Sequence, residues 1–304
     1  MIVTVGSINM DLVVRVPHHP ESGETVLGGD YATHAGGKGA NQAVAAARLG
    51  AQVRMFGALG DDSFGPILAG GLAAEGIDTS WVRRLSGPSG VAFIAVDGRG
   101  RNRIIVAPGA NSRVTPESLD LAGFEGAHVV LMQLEVPLAA VREAARLGRQ
   151  AGAATVLNAA PATALTGDDL CDVDILMVNE LEAATILGQA GPVTVDQARR
   201  RAAELCLLGP GVVITLGDKG AVYAIGGAEG HQEAFLVDAV DTTAAGDAFA
   251  GAFAVALSEG LDSRQATRIG CAAGALAATR EGAQPSLPRR SELESWLQRQ
   301  EQPR

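Results

Sequence analysis

An α/β fold in three layers, helix over sheet over helix, with a mostly parallel central sheet and a small β-sheet lid, follows from three features of this sequence. From residue 128 onward, short apolar runs alternate with longer helical stretches, the pattern of a parallel sheet covered on both faces. Four extended segments, at about 12–16, 25–32, 91–96 and 102–106, break that alternation and read as a separate, discontinuous β-layer over the site. Composition is the third feature: 47% hydrophobic residues, 39 Gly and only 4% aromatics point to a core of Ala, Val and Leu with many tight turns. The 304 residues suffice for one large α/β domain, and residues 1–304 are read as one unit.

Residues 1–6 form a short buried strand ending at Gly6, followed by the polar turn Ser7-Ile8-Asn9-Met10-Asp11. The Gly-rich run Gly36-Gly37-Lys38-Gly39-Ala40-Asn41-Gln42 leads into a helix that stops at Gly50. A strand over 53–58 and an amphipathic helix over 64–74 come next, then the hairpin 91–96/102–106 around Asp97-Gly98-Arg99-Gly100. The regular part reads as strand 128–132, helix 137–150, strand 154–158, helices 180–187 and 196–208, and strand 212–216. A hairpin near 221–225 and 232–237 precedes helices at 246–258, 263–279 and 290–299.

Net charge of −10 argues against non-specific binding to nucleic acid or to a membrane surface. No apolar stretch is long enough to span a bilayer, and the N-terminus reads as a strand rather than a signal peptide, so a cytoplasmic protein is expected. Three widely spaced cysteines give neither a disulfide framework nor a CxxC pair. The five histidines lack metal spacing, and HExxH, GxSxG and GxGxxG are absent. Zinc hydrolase, serine hydrolase and dinucleotide dehydrogenase each lose their usual signal.

The stretch Asp241-Thr242-Thr243-Ala244-Ala245-Gly246-Asp247 is the centre of the functional reading. Free N–H groups and the positive end of a helix starting near Ala245 attract an anion. Asp247 beside that anion can take a proton from an attacking hydroxyl, the arrangement phosphoryl transfer to an alcohol needs. Alone, a Gly-Asp pair before a helix is more often an acidic cap. Other polar clusters fall after strands, where open α/β sheets bind ligands: Asn9/Asp11, Glu135, Asn158, Asn179/Glu180 and Thr215-Leu216-Gly217-Asp218-Lys219-Gly220. Gly36–Asn41 offers backbone N–H groups and an amide suited to a hydroxylated small molecule, without the spacing of a Walker loop.

In order along the chain, Gly6–Asp11, Gly36–Ala43, Gly60-Asp61-Asp62-Ser63-Phe64-Gly65, Met132–Glu135, Asn158–Ala162, Asn179–Glu182, Asp241–Asp247 and Gly282–Ser286 resemble the phosphofructokinase-B type family of sugar and nucleoside kinases, in its ribokinase branch. The resemblance runs from Gly6 to about Pro288. It implies that Asp247 is the general base and that Ala244, Ala245 and Gly246 form an anion hole. Asn9, Asp11, Gly37, Lys38, Asn41 and Glu135 match the sugar-holding positions. Asn179, Thr215, Gly217, Gly220 and Cys271 match the ATP side, and Glu182 the acid of the Mg²⁺ network. Asp241, Thr243, Ala277, Arg280, Gly282 and Ser286 match a K⁺ site. His34 and Cys271 depart from the residues usual at their positions.

The activity so implied is ATP-dependent phosphorylation of D-ribose at O5, with Mg²⁺ and K⁺, by a homodimer joined through the lid. Deoxyribose, fructose or a nucleoside are alternative acceptors, and a sugar-binding regulator without turnover is the reading from another class.

Overall fold

The computed structural model describes residues 1–189 and 194–301. Nine strands build the main sheet: β1 (Ile2–Val5), β4 (Val53–Gly60), β5 (Val82–Leu85), β8 (Val129–Gln133), β9 (Ala154–Asn158), β10 (Ile175–Asn179), β11 (Gly211–Thr215), β12 (Ala221–Ile225) and β13 (Ala228–Gln232). Their order is β13-β12-β11-β10-β9-β8-β1-β4-β5. All pairings are parallel except those of β12 with β11 and with β13.

Adjacent strand residues face opposite layers, so each buried strand feeds two cores. Ile2 and Met55 join one apolar cluster, with α1 (Lys38–Arg48), α2 (Phe64–Ala74), α7 (Ala245–Ser258), α8 (Ser263–Ala277) and α9 (Arg290–Glu301). Val3, Val5 and Phe56 join the other, with α3 (Leu138–Gln150), the single turn α4 (Gly167–Leu170) and α6 (Val195–Cys206). The short α5 (Glu180–Leu187) starts directly from the end of β10. These are the three layers that the alternating pattern predicts.

The second sheet has the order β3-β2-β6-β7, from β2 (Asn9–Arg15), β3 (Tyr31–Gly36), β6 (Gly90–Val96) and β7 (Asn102–Ala107). Its central pair is parallel and its outer pairs antiparallel. Three extended segments of the expected β-layer lie here, but the fourth is displaced: 31–36, rather than 25–32, pairs with β2, in the register Asn9↔Gly36. Gly28-Gly29 interrupts the earlier run. The expected polar turn over 7–11 also shortens, because Asn9 and Asp11 already belong to β2.

Two strands have no counterpart in the sequence reading. The buried run of β10 is indistinguishable by periodicity from a helical segment. The edge strand β5 carries two Arg residues and little apolar pattern. The last hairpin is shorter than expected, with β13 at 228–232 in place of 232–237. Gly226 and Gly227, with φ of 59° and 81°, make a two-residue turn that fixes this register. Phe235–Val237 are thereby left to line a groove.

Candidate active site

The carboxyl ends of the parallel strands open on one edge of the main sheet, and the beginning of α7 lies across it. Ala244, the residue before that helix, has φ 58°, and among the described residues it is the one non-glycine with positive φ. An L-residue in the left-handed region is strained. Here the strained turn leads directly into α7, whose first N–H, at Ala245, donates back to Thr242 O at 3.2 Å. Asp247, in the first turn, is 7% exposed.

Both carboxylate oxygens of Asp247 accept amide hydrogen bonds from α1: Asn41 Nδ2 donates to Oδ2 and Gln42 Nε2 to Oδ1, each at 2.9 Å. The same Gln42 nitrogen donates to Asn158 Oδ1 at 2.9 Å, and Gln133 Nε2 donates to Gln42 Oε1. The helix can come this close to β1 because position 39 is glycine. A Cβ there would lie 2.6 Å from the backbone of Gly6 and Ser7. Gly37, with φ 89°, makes the turn from β3 into α1.

Beside Asp247 lies a polar cluster built from strand ends. Glu135, after β8, accepts from Ser7 Oγ at 2.5 Å, from the Lys38 N–H at 3.2 Å and from Asn9 Nδ2 at 3.4 Å. Asn111 Nδ2 donates to Asn9 Oδ1 at 2.7 Å and so sets which face of Asn9 turns to Glu135. Asp11 is pushed up to about 7, first by burial and then by the charges of Glu135 and Asp247. Burial works against the Lys38 ammonium, but Asp247, Glu135 and Glu182 together hold its pKa above the usual lysine value.

Lys38, expected on the sugar side, also lines a cavity of about 220 Å³ with Asn179, Glu182, Thr215, Gly246 and Asp247. Asn179 caps α5, accepting from the N–H groups of Leu181 and Glu182, while Glu182 accepts from the Asn179 N–H. Burial raises the Glu182 carboxyl above its ordinary range, against that N–H and the Lys38 charge. Next to this cavity runs a groove of about 320 Å³ lined by Gly217, Gly220, Phe235, Phe249 and Cys271. Burial pushes the Cys271 thiol up to about 12. A third cavity, of about 520 Å³, lies between the small sheet and the 239–243 and 281–285 segments, with Asp11 and His34 in its wall. Thr242 lines all three cavities and is their common junction.

The segment before α7 is tied to the chain after α8. Asp241 accepts from the Thr243 N–H and from the Gly282 N–H, both at 2.9 Å, and the Val240 N–H donates to Ala278 O at 2.8 Å. Asp241, Thr243, Gly282 and the preceding end of α8 at Ala277 are thus neighbours. Arg280 turns its guanidinium to Glu292, and buried Ser286 donates to Ala283 O.

Most of the proposed site residues line the three cavities that meet at Thr242 or are hydrogen-bonded beside them, whereas Ala277, Arg280 and Ser286 line none of the three. Residue reading gave no role to Gln42, Gln133, Ser7, Asn111 or Thr242. Gln42 and Gln133 are buried polar residues inside Gly-rich and apolar motifs, and that mismatch was the available signal.

The sequence profile of the pfkB family carbohydrate kinases matches residues 1–290. The chain belongs to this family. This carbohydrate kinase is 41% identical to the ribokinase of Haemophilus influenzae, over 98% of each chain. The crystal structure of ribokinase from Thermotoga maritima superposes with a TM-score of 0.89 at 38% identity, covering 98% of this chain and 99% of that one. Arabidopsis thaliana ribokinase, solved with ribose and ATP, gives 0.89 at 34% identity, covering 97% and 98%.

Proposed function

We propose that this kinase transfers the γ-phosphoryl group of ATP to O5 of D-ribose, giving D-ribose 5-phosphate and ADP. The observation that carries the reading is the position of Asp247. It stands at the head of α7, between the acid-lined pocket and the cavity of Lys38 and Asn179, with both oxygens held by amides. The similarity to ribokinases over nearly the whole chain supports ribose as the acceptor.

In this reading Asn9, Asp11, Glu135 and Asn41 hold sugar hydroxyls, with the backbone at Gly37. The sugar's primary hydroxyl then meets Asp247, which takes its proton as the oxygen attacks phosphorus. The start of α7 at Ala245 and Gly246, with the Ala244 turn behind it and the Ala245 N–H also donating to Thr242 O at 3.2 Å, receives the charge of the migrating phosphoryl group, and Lys38 adds a half-buried cation. Thr215, Gly217, Gly220 and Cys271 line the ATP side.

The donors at the phosphate cavity fit a hydrated Mg²⁺: one buried carboxylate, Glu182, beside the Asn179 amide, leaves most positions to water and phosphate. When bound, Mg²⁺ neutralises phosphate charge. Carbonyl-rich turns around Asp241, Thr243, Ala277, Arg280, Gly282 and Ser286 fit K⁺, and Asp241 ties them to the segment leading into the anion hole. Exposed Tyr31, Phe93, Ile104 and Ile105 on the small sheet support a homodimer through that lid. Free Cys171, Cys206 and Cys271 accord with a cytoplasmic setting.

The test is ADP release with ribose, deoxyribose, fructose, adenosine and no acceptor, in Mg²⁺ and K⁺. Ribose is expected to give the highest kcat/KM, and preference for another acceptor overturns the ribose assignment. Replacing K⁺ by Na⁺ is expected to lower the rate; an unchanged rate removes the cation assignment.

A further inference from the structure

Gln42 lines none of the three cavities described above: its side chain is fully buried, and its side-chain hydrogen bonds run to other side chains of the protein. Its amide nitrogen lies between two acceptors, Asp247 Oδ1 and Asn158 Oδ1, both at 2.9 Å. Both of its N–H groups are therefore committed. Which way the amide faces is set from both sides. Asn158 Nδ2 donates to Met177 O at 3.3 Å, which leaves Asn158 Oδ1 as the acceptor. Gln133 Nε2 donates to Gln42 Oε1 and holds the other end. Gln133 and Asn158 belong to adjacent strands of the main sheet and are paired in register. Two rigid strands thus aim one buried amide at one oxygen of Asp247.

We infer that Gln42 is a positioning residue for the base, holding Asp247 turned toward the acceptor hydroxyl through a buried amide chain rooted in β8 and β9. The inference rests on the reading of Asp247 as base, but not on ribose as the acceptor. An amide donor stabilises a carboxylate over the neutral acid and removes one lone pair from the competition for the proton. Asn41 does the same for Oδ2, yet it borders the sugar pocket, so its loss mixes binding with orientation. Gln42 separates the two effects.

The experiment uses the full chain with whichever acceptor it turns over fastest. Gln42→Met keeps the volume and removes the donor. Its kcat is expected to fall roughly tenfold to hundredfold, the scale of one hydrogen bond to a charged group. KM for the acceptor should stay within about twofold of the parent, so that the loss falls on kcat alone. Introduced into Asp247→Asn, the same change should lower the residual rate no further. Gln133→Met, which leaves Gln42 in place and frees its carbonyl, is expected to give a smaller loss of the same kind. It carries the test if Gln42→Met fails to melt cooperatively. A parental kcat, a loss confined to KM, or a full additional loss in the Asp247→Asn background overturns the inference. Near-parental kcat in Asp247→Asn alone overturns the base assignment instead, so the two failures are distinguishable.

Discussion

The two halves of the cleft are built on opposite principles. On the acceptor side Asn9, Asp11, Asn41 and Asp247 are each 7% exposed or less, and hydrogen bonds between side chains fix most of them. In the groove proposed for the nucleotide, small residues, backbone and apolar groups such as Phe235 and Cys271 prevail, with Thr215, Asp218 and Thr242 among them. Buried polar groups discriminate strongly, because a ligand lacking the matching partner leaves them unsatisfied. Apolar walls discriminate weakly. The contrast places acceptor selectivity and charge control on one side, and tolerant, area-driven binding on the other.

The sharpest break of that contrast is Asp247→Asn. General base catalysis contributes on the order of 10²–10⁴ in rate, so kcat should fall by about that factor. Because the amide keeps the shape, acceptor affinity measured by calorimetry should change little. Next in size, Glu135→Gln should raise the acceptor KM by about tenfold or more, the scale of a lost charge-assisted contact, with the ATP KM unmoved. A parallel rise in the ATP KM would show that the two sides are not separate.

A third effect concerns pH. Burial and the charges of Glu135 and Asp247 push the Asp11 carboxyl up to about 7, above its ordinary value of 3.8, so the native state binds more protons between those values. Stability from this group is therefore greatest at low pH and declines as pH rises from about 4 to about 7. Melting temperatures of parent and Asp11→Asn across that window should diverge, the parent losing ground toward neutrality. A parallel pair of curves contradicts the raised value. Smallest of all, Cys271→Ala should alter the ATP KM by a few-fold at most, since it removes one thiol from an apolar wall. A large change would mean that the nucleotide side also relies on a specific contact.

Some of this was legible beforehand because it is local. Gly37 and Gly39 announce a close approach, Asp247 follows small residues at a helix start, and strand–helix alternation fixes the layered architecture. Residues in contact across long sequence separations were not. Gln42 is an unremarkable helical residue until α1 is packed on α7, when its amide meets a carboxylate 205 positions away.

By itself, then, the sequence determined the fold class, the family motifs and the reaction chemistry they support, because periodicity and turn chemistry are properties of neighbouring residues. Tertiary structure alone decided that 31–36 pairs with β2, that Lys38 lines the phosphate cavity, and that Gln133, Gln42 and Asp247 form one chain of hydrogen bonds. Pairing and burial depend on what the rest of the chain brings alongside, and a buried polar group declares its purpose only when its partner arrives.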